Sequence, residues 1–560
     1  MPAAPTSGWE TGNPGFPTCG EPVEPHPCLW GGEPGVPHPS ACGGGKRSPT
    51  RWDWEVFALP EHKPVFIVLL GGAAAEEPVS GTIEAVRGMR DVLPAEQWQA
   101  RAVQRTLEAT FEAYGYAPVD LPIIESRELY LRKLGEELAG KVYEFNFGGR
   151  DLALRPEWTA SVLRAYVAHL QDQPLPLRLS YNGPVFRYER PHRHTYRQFT
   201  QVGVEIVGGP SPRADAEALA LACAGLDAAG VTGYQVLMGH VGVVRELLAQ
   251  FGLTERTRDT LVWSLERMRK DGAAAVRAHL HERASAPPIE LPPGLDEEQA
   301  RAWLLRTLQA MEIDLSTGTR SLEQVVARLL RKLRGRDEHA AIDRALDVLE
   351  RLVAIQGPAS QALPALAALL EEQGLRAGAL DEVRAILAMV AAHGIDPDRI
   401  DLDFGLGRGL HYYTGLIFEI ADAGGTQLCG GGRYDDLVAA LGGQKEVPAV
   451  GFAYGLERVV AAATAPLPPR RPLALVAPVT DEDYAYAQDV AHRLRERGLA
   501  ASVDVRGRTL ARNLSDAARR GARYVAIVGV EERTSRSVVW RDLERHDERR
   551  VSFDALGGEL

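Results

Sequence analysis

The chain has 560 residues, which at roughly 150 per domain leaves room for three or four domains. Hydrophobic residues make up 45% and charged residues 25%, ordinary globular proportions that exclude a fibrous repeat or wholesale disorder. The formal net charge is -12, from 63 Lys+Arg against 75 Asp+Glu, so a bulk basic coat is excluded and any nucleic acid has to be met by a local patch.

Residues 1 to about 80 are crowded with Pro and Gly, as in Gly12-Asn-Pro-Gly-Phe-Pro, and carry no sustained period. Such a stretch cannot bury enough apolar surface to offset its ordering entropy. It reads as a disordered extension, or as sequence lying upstream of the true start. Its apolar run Val65–Ala75 is far shorter than the about 20 residues that cross a bilayer, and it lies too far along for a signal sequence. No membrane segment is expected. Five cysteines in this length are too few for a disulfide framework, and Cys19, Cys28 and Cys42 match no zinc spacing. A reduced, cytoplasmic protein is expected.

Regular structure is expected from about residue 81. Asp91-Val-Leu-Pro94 marks a helix start running to Ala113, and Ala117–Ile124 reads as a short strand closed by Pro122. Strand patterns dominate from Val142 to Val207, with helices over Glu157–Leu170 and Ala214–Ala229. Residues 81–239 therefore form a first mixed block. From 240 to 400, Leu-, Ala- and Arg-rich helical patterns such as 325–333 and 341–349 predict an all-helical insertion, broken by the Pro-rich stretch after Ala286. Strands return over 401–465. A Pro/Arg linker then sets off residues 472–560, where strands at Leu473–Ala477, Ala501–Asp504 and Tyr524–Val528 alternate with helices at Asp481–Arg497 and Thr509–Arg520. That alternation predicts a small α/β unit with a mostly parallel sheet.

Three segments concentrate the chemistry. In Gly183–Glu205, Arg187 and Glu189 fall on one face of a strand. A guanidinium two residues from a carboxylate can hold a phosphate and a nucleobase amino edge together, although a surface ion pair fits the fragment equally well. In Phe404–Gly415, glycines flank Arg408 and allow close ligand approach, while Tyr412 and Tyr413 supply hydroxyls on an apolar wall; a bulged core strand is the alternative. In Val447–Val460, a strand turns at Gly455 into a helix with Arg458 in its first turn. A guanidinium at a positive helix end suits a triphosphate, and a capping contact by Glu457 is the alternative.

Together these segments resemble class II aminoacyl-tRNA synthetases, and specifically the histidyl-tRNA synthetase family. Arg87-Gly-Met-Arg-Asp-Val-Leu-Pro94 is similar to the family's opening, and Pro122 to the proline closing its first motif. Phe186-Arg-Tyr-Glu-Arg-Pro with Tyr196-Arg-Gln-Phe is similar to the second motif, and Gly451-Phe-Ala-Tyr-Gly-Leu-Glu-Arg458 to the third. Leu154-Arg-Pro-Glu-Trp-Thr-Ala160, Arg408–Tyr413 and Gly431-Gly-Arg-Tyr-Asp435 resemble elements particular to the histidine family. The likeness runs from about residue 83 to 560. It implies an α+β fold: an antiparallel sheet core (81–239 and 401–465) carrying the helical insertion, and a small C-terminal α/β anticodon-binding domain (472–560). It also implies a homodimer.

The implied activity is histidine–tRNA ligation, in which L-histidine is activated with ATP to histidyl-adenylate and transferred to tRNA(His). By motif match, Arg187 would contact the α-phosphate, Glu189 the adenine amino group and Arg458 the γ-phosphate or adenine region. Arg408 would stabilise charge on the α-phosphate, and Mg2+ would be held mainly by the phosphates, with no metal site of protein ligands. Glu157 and Thr159 resemble the pair that binds the substrate ammonium. Gln201, Glu205, Tyr412, Tyr413 and Tyr434, with Arg408, would line the histidine pocket. Arg508, Arg512, Arg519, Arg520 and Arg523, around the helix from Thr509, would meet RNA, with a solvated helix laced by Asp516 as the alternative.

Three positions depart from the family pattern. Trp158 replaces the usual glycine beside the ammonium pair and would narrow the pocket unless it points into the core. Thr195 stands where an arginine usually meets the pyrophosphate end of ATP, with Arg193 or Arg197 as substitutes. His411 replaces an aspartate. Apart from these three, His192 stands where a polar reader of the tRNA 5′ guanylate would sit. The family also contains the regulatory subunit of ATP phosphoribosyltransferase, which reuses the fold without aminoacylation and generally lacks the anticodon-binding domain. A pure RNA-binding or sensor protein on the same scaffold is the third reading, set apart by the retained phosphate-binding arginines.

Overall fold

The computed structural model describes residues 82–132, 140–190, 195–283, 292, 294–311, 326–327, 329–330, 339–406 and 412–558. The expectations for residues 1–80, for 325–333 as a whole, and for His192, Arg193, Arg408 and His411 lie outside the described residues.

Helix α1 (Pro94–Ala113) starts with proline in its first turn, where the missing amide hydrogen has no partner to lose. It buries Val103, Leu107 and Phe111, three positions on one helical face. The single strand expected over Ala117–Ile124 is two. β1 (Ala117–Pro118) pairs with the large sheet and β2 (Ile124–Ser126) with the small one. Pro118 and Pro122 cannot donate to a ladder, so the chain changes sheets between them.

The small sheet is antiparallel, in the order β2-β4-β3, from β3 (Glu144–Phe147) and β4 (Arg150–Leu154). Helix α2 (Thr159–His169) follows. The large sheet comprises β1, β5 (Leu177–Phe186), β6 (Gln198–Val207), β7 (Gln235–His240), β8 (Gln356–Pro358), β9 (Ile400–Asp403), β10 (Leu416–Ala421), β11 (Gln427–Arg433) and β12 (Ala449–Gly455). Its nine strands run β1-β5-β6-β12-β11-β10-β7-β9-β8. Only β1–β5 and β7–β9 pair in parallel. The central β6 buries Val202 through Val207 without interruption, because helices cover one face and the site described below covers the other. Helix α3 (Arg213–Ala228) packs small and branched residues onto the sheet.

The region expected to be all helical is not separate from this core. Helices α4 (Val241–Ala249), α7 (Ala359–Glu372) and α8 (Ala379–Ala392) bury Val243, Leu247, Leu366, Val383 and Ile386 in the cluster that lines the large sheet. Between them lie α5 (Leu265–Asp271) and α6 (Glu297–Ala310), and only α6 belongs to a small core of its own, around Leu304 and Leu308. The stretch also contributes strand β8, which a three-residue segment starting Gln-Gly could not announce by periodicity. Arg269 on α5 pairs with the buried Asp403 at the end of β9.

After helix α9 (Leu456–Ala462) and the linker, the last unit forms its own sheet. It contains β13 (Leu473–Pro478), α10 (Tyr484–Glu496), β14 (Ala500–Val503), α11 (Leu510–Arg519) and β15 (Tyr524–Val528), at the positions the alternation predicts. A hairpin of β16 (Ser537–Asp542) and β17 (Asp547–Ser552) adds two antiparallel strands, giving the order β14-β13-β15-β16-β17.

One buried ion pair joins the pieces of the large sheet. The Arg433 guanidinium, 2% exposed at the end of β11, donates through Nε to Asp215 of α3 (2.8 Å). It also donates to the Gly209 carbonyl (3.1 Å) and to Asp435 (2.8 Å). Asp435 in turn accepts the Ala449 amide of β12 and donates its own amide to the Thr414 hydroxyl. Removing one member of such a pair leaves a charge buried without its partner. Asp215→Ala is therefore expected to lower stability by about 3–5 kcal/mol, and Asp215→Leu combined with Arg433→Met to recover much of that. Urea unfolding of the three proteins checks it.

Candidate active site

A cleft opens over the large sheet where β5, β6, β11 and β12 come together. It encloses about 760 Å³, part of it open to solvent, and is lined by Arg187, Glu189, Thr195, Gln201, Glu457 and Arg458, among others. Arg187 follows the last residue of β5, and its backbone amide bonds the Arg197 carbonyl at 2.9 Å, which carries the pairing on past the strand. Its Nε donates to the Pro156 carbonyl (2.8 Å), and its guanidinium lies 5.3 Å from the Phe199 ring centre. Glu189 lies 3.6 Å from the Lys141 ammonium. Across the cleft, Arg458 donates to the Gln427 carbonyl (3.0 Å). Glu457 accepts the Thr200 amide through both oxygens (2.9 and 3.1 Å), so it staples α9 to β6. Helix α9 has seven residues, too short for a helix end to add much, so the positive charge here is the guanidinium itself.

Behind the cleft, polar side chains converge within the core. Glu205 on β6 is 0% exposed; its Oε1 accepts the Thr159 hydroxyl (2.8 Å) and the Tyr181 hydroxyl (3.1 Å). Its Oε2 has no partner. Glu157 is equally enclosed: Oε1 caps the Ala160 amide at 3.0 Å and Oε2 has no partner. Gln201 Oε1 and the Tyr434 hydroxyl are also buried without hydrogen bonds. Burial pushes the carboxyls of Glu205 and Glu157 above the usual range; neighbouring Glu157 adds to the rise at Glu205, and Arg187 opposes it at Glu157. Tyr412, Tyr413 and Tyr434 pack ring against ring, with centres 4.9 to 6.3 Å apart. Gly451 of β12 lies opposite Glu205, and a side chain there would clash with both Glu205 Oε2 and the Tyr434 hydroxyl.

The structure thus brings Arg187, Glu189, Gln201 and Arg458 to one cleft, and Glu157, Thr159, Glu205 and the three tyrosines to a buried polar cluster, the chamber, behind it. Arg408 lies outside the described residues. Trp158 is not among the residues lining the cleft; it is fully buried in a cluster with Val162, Leu179, Tyr181 and Val185. Thr195 does line the cleft. Arg197 is not among the residues lining the cleft; its guanidinium donates to the Arg87 and Glu189 carbonyls and covers the Tyr188 ring at 4.0 Å. Among the described residues, no group of three or more His, Cys, Asp or Glu is placed to hold a metal ion.

The arginines of the last unit divide. Arg508 is not available to a ligand, since it pairs with Asp504 (2.7 Å) and Asp516 (2.9 Å) with its side chain 14% exposed. These contacts link the β14 end to α11. Arg519 and Arg520 share Asp516, and Arg523 pairs with Glu544 (3.2 Å). Arg512 is exposed with no ion pair among the described residues. Composition shows the arginines of this helix but not which of them the acids neutralise. Tyr181 is the chamber residue that sequence reasoning passed over, and Gly451 was named only as the first residue of the third motif. Tyr181 alternates in phase with Leu179 on β5, but its partner lies on another strand.

Three comparisons bear on this arrangement. The histidyl-tRNA synthetase family model matches residues 88–343 and 302–459, and the anticodon binding domain model matches 474–560. The histidine–tRNA ligase of Methanocaldococcus jannaschii is 32% identical over 84% of this chain and 97% of its own. That of Archaeoglobus fulgidus is 32% identical over 85% and 98%. Among solved structures, apo histidyl-tRNA synthetase from S. aureus superposes with a TM-score of 0.55 at 24% identity, covering 85% of this chain and 99% of that one. A Bacillus halodurans protein described as an ATP phosphoribosyltransferase regulatory subunit/histidyl-tRNA synthetase reaches 0.58 at 22% identity, covering 80% and 99%. Both are likenesses of fold. On the extent of the family match and of these relatives, the chain belongs to the histidyl-tRNA synthetase family.

Proposed function

We propose that this chain is an active histidine–tRNA ligase, joining L-histidine to tRNA(His) at the expense of ATP. One observation carries the reading: four buried polar atoms without hydrogen-bond partners, on Gln201 in the cleft and on Glu157, Glu205 and Tyr434 behind it, accompany Arg187 and Arg458 on the cleft walls. Buried polar groups are ordinarily satisfied, and a set left open together matches a small polar substrate. Glu157, with the lone pairs of the Thr159 oxygen, would take the substrate ammonium. Glu205 Oε2 would meet one ring nitrogen and a hydroxyl of the cluster of Tyr412, Tyr413 and Tyr434 the other, with the tyrosine rings walling the imidazole. A substrate lacking those nitrogens would leave the polar groups unpaired, the strongest kind of rejection a site can make.

ATP would lie in the cleft, with Arg187 on the α-phosphate, Glu189 on the adenine amino group and Arg458 toward the γ-phosphate or adenine. Arg408 is assigned to the α-phosphate on its motif alone. Attack of the histidine carboxylate on the α-phosphorus releases pyrophosphate. The terminal ribose hydroxyl of the tRNA then attacks the acyl carbon, and AMP leaves. Fixed guanidinium groups offset the charge that gathers as two anions approach. Mg2+ would arrive with the triphosphate and neutralise it further. Homodimerisation is supported by the exposed apolar side chains Ile123, Ile124, Phe145 and Phe147 near Pro122. A cytoplasmic site of action is consistent with Cys223 and Cys429, both buried and neither in a disulfide. The anticodon-binding match over 474–560 weighs against the regulatory-subunit reading.

Histidine-dependent ATP–pyrophosphate exchange by the purified protein tests the reading, and its absence from correctly folded protein would overturn it. Glu205→Ala is expected to abolish histidine binding while sparing ATP binding, as titration calorimetry would read. The raised pKa of Glu205 has a definite sign. The fold holds its proton more tightly than the unfolded chain does, so wild-type stability falls as pH rises through and above the ordinary carboxylate range. The Tm of Glu205→Gln relative to wild type should therefore be higher at pH 8 than at pH 5. In the last unit, Arg512→Ala should weaken tRNA binding and lower the salt slope by about 1, with the Tm unchanged.

A further inference from the structure

Trp158 occupies the residue before α2, a position favouring Ser, Thr, Asp or Asn because their side chains cap the helix. Tryptophan offers no capping oxygen, and Glu157 Oε1 caps the Ala160 amide in its place. A residue that breaks a local rule yet is fully buried has its reason in tertiary structure. The indole lies nearly parallel to the Tyr181 ring, 11° between planes and 4.9 Å between centres. The Arg155 guanidinium lies 3.6 Å from the indole centre and is itself pinned to the Pro184 and Leu121 carbonyls at 2.8 and 2.9 Å. The backbone of Gly183 presses on the same ring: a side chain there would come within 2.8 Å of the indole Cζ2. The indole Nε1 points to the Gly183 carbonyl at 3.4 Å.

Both hydroxyls that hold Glu205 are tied to this ring. Tyr181 is fixed by stacking on it, and Thr159 is the next residue in the chain. Both donate to the same oxygen, Oε1, and the other oxygen is left without a partner. We propose that Trp158 is a positioning residue for amino-acid selection: it locks Tyr181 and Thr159 onto Oε1 of Glu205 and so presents Oε2 as a single fixed hydrogen-bonding partner for one ring nitrogen. The proposal rests on the reading of this chamber as the histidine site. It names the element that makes the carboxyl discriminate between ring nitrogens. Without the indole, Tyr181 gains room to tilt, the carboxyl turns, and a ring methylated at the facing nitrogen is rejected less strongly.

The test is ATP–pyrophosphate exchange with L-histidine and with each of its two ring N-methylated forms, on wild type, Trp158→Phe, Trp158→Ala and Tyr181→Phe. Wild type should strongly prefer histidine over one methylated form. In Trp158→Ala and Tyr181→Phe that preference should shrink about tenfold, the worth of one well-placed hydrogen bond. The loss should appear in KM for histidine with KM for ATP unchanged. Trp158→Phe keeps a stacking face and should stay within about threefold of wild type. An unchanged preference in folded Trp158→Ala overturns the proposal; should that variant fail to fold, an unchanged preference in Tyr181→Phe does so. Absence of exchange by the wild type would sink the ligase reading together with this one. Normal wild-type exchange with unaltered variants would sink this one alone.

Discussion

Glu205 is a carboxyl with no exposure to water, one oxygen held by two hydroxyls and the other held by nothing. An ionisable group so placed is costly unless the fold compensates it or a ligand completes it. The surroundings accommodate both. Gly451 leaves room for Oε2 on the neighbouring strand, Tyr434 brings a second open polar atom to the same spot, and Tyr181 is braced by the indole behind it. Three strands and the start of one helix have to be in register before that oxygen points anywhere useful.

The Arg433 network supplies that register from below. Its guanidinium joins β11 to α3, and through Asp435 it reaches β12 and the residue after Tyr413. The tyrosine cluster sits directly on this frame, because Tyr434 is flanked by Arg433 and Asp435 in the chain. Buried ion pairs of this kind add little net stability but are severe when broken, so they act more as a specification of geometry than as a source of cohesion. On the cleft side Glu457 performs a similar task with backbone amides, holding α9 and hence Arg458 against β6.

The acidic chain handles its positive charge by the same means. Arg197 and Arg508 are both spent on structure, one on backbone carbonyls and an aromatic face, the other on two aspartates. A guanidinium has five donors and satisfies neighbours on several sides at once, which suits it equally to phosphate and to scaffold. Arginine count along a helix is therefore a poor guide to RNA contact. The separation of Arg512 from its paired neighbours came only with the placement of Asp504, Asp516 and Glu544.

Sequence by itself determined the order of the pieces. Short-range rules placed α1 at Pro94, the helices after Glu157 and Arg213, and the strand–helix alternation after residue 472. Motifs rich in glycine, arginine and tyrosine marked most of the stretches that came to line the site, the Tyr181 stretch excepted. Those features are local, set by dihedral preference and by periods of 2 and 3.6 residues. The tertiary structure decided what depends on distance. The helical insertion shares the core of the large sheet, because apolar faces some 150 residues apart in sequence bury each other, which neither segment shows alone. Trp158 turned inward because Tyr181, Arg155 and Gly183 formed a slot for it. Only folding decides which polar atoms end up without partners, and that was the information that identified the chamber.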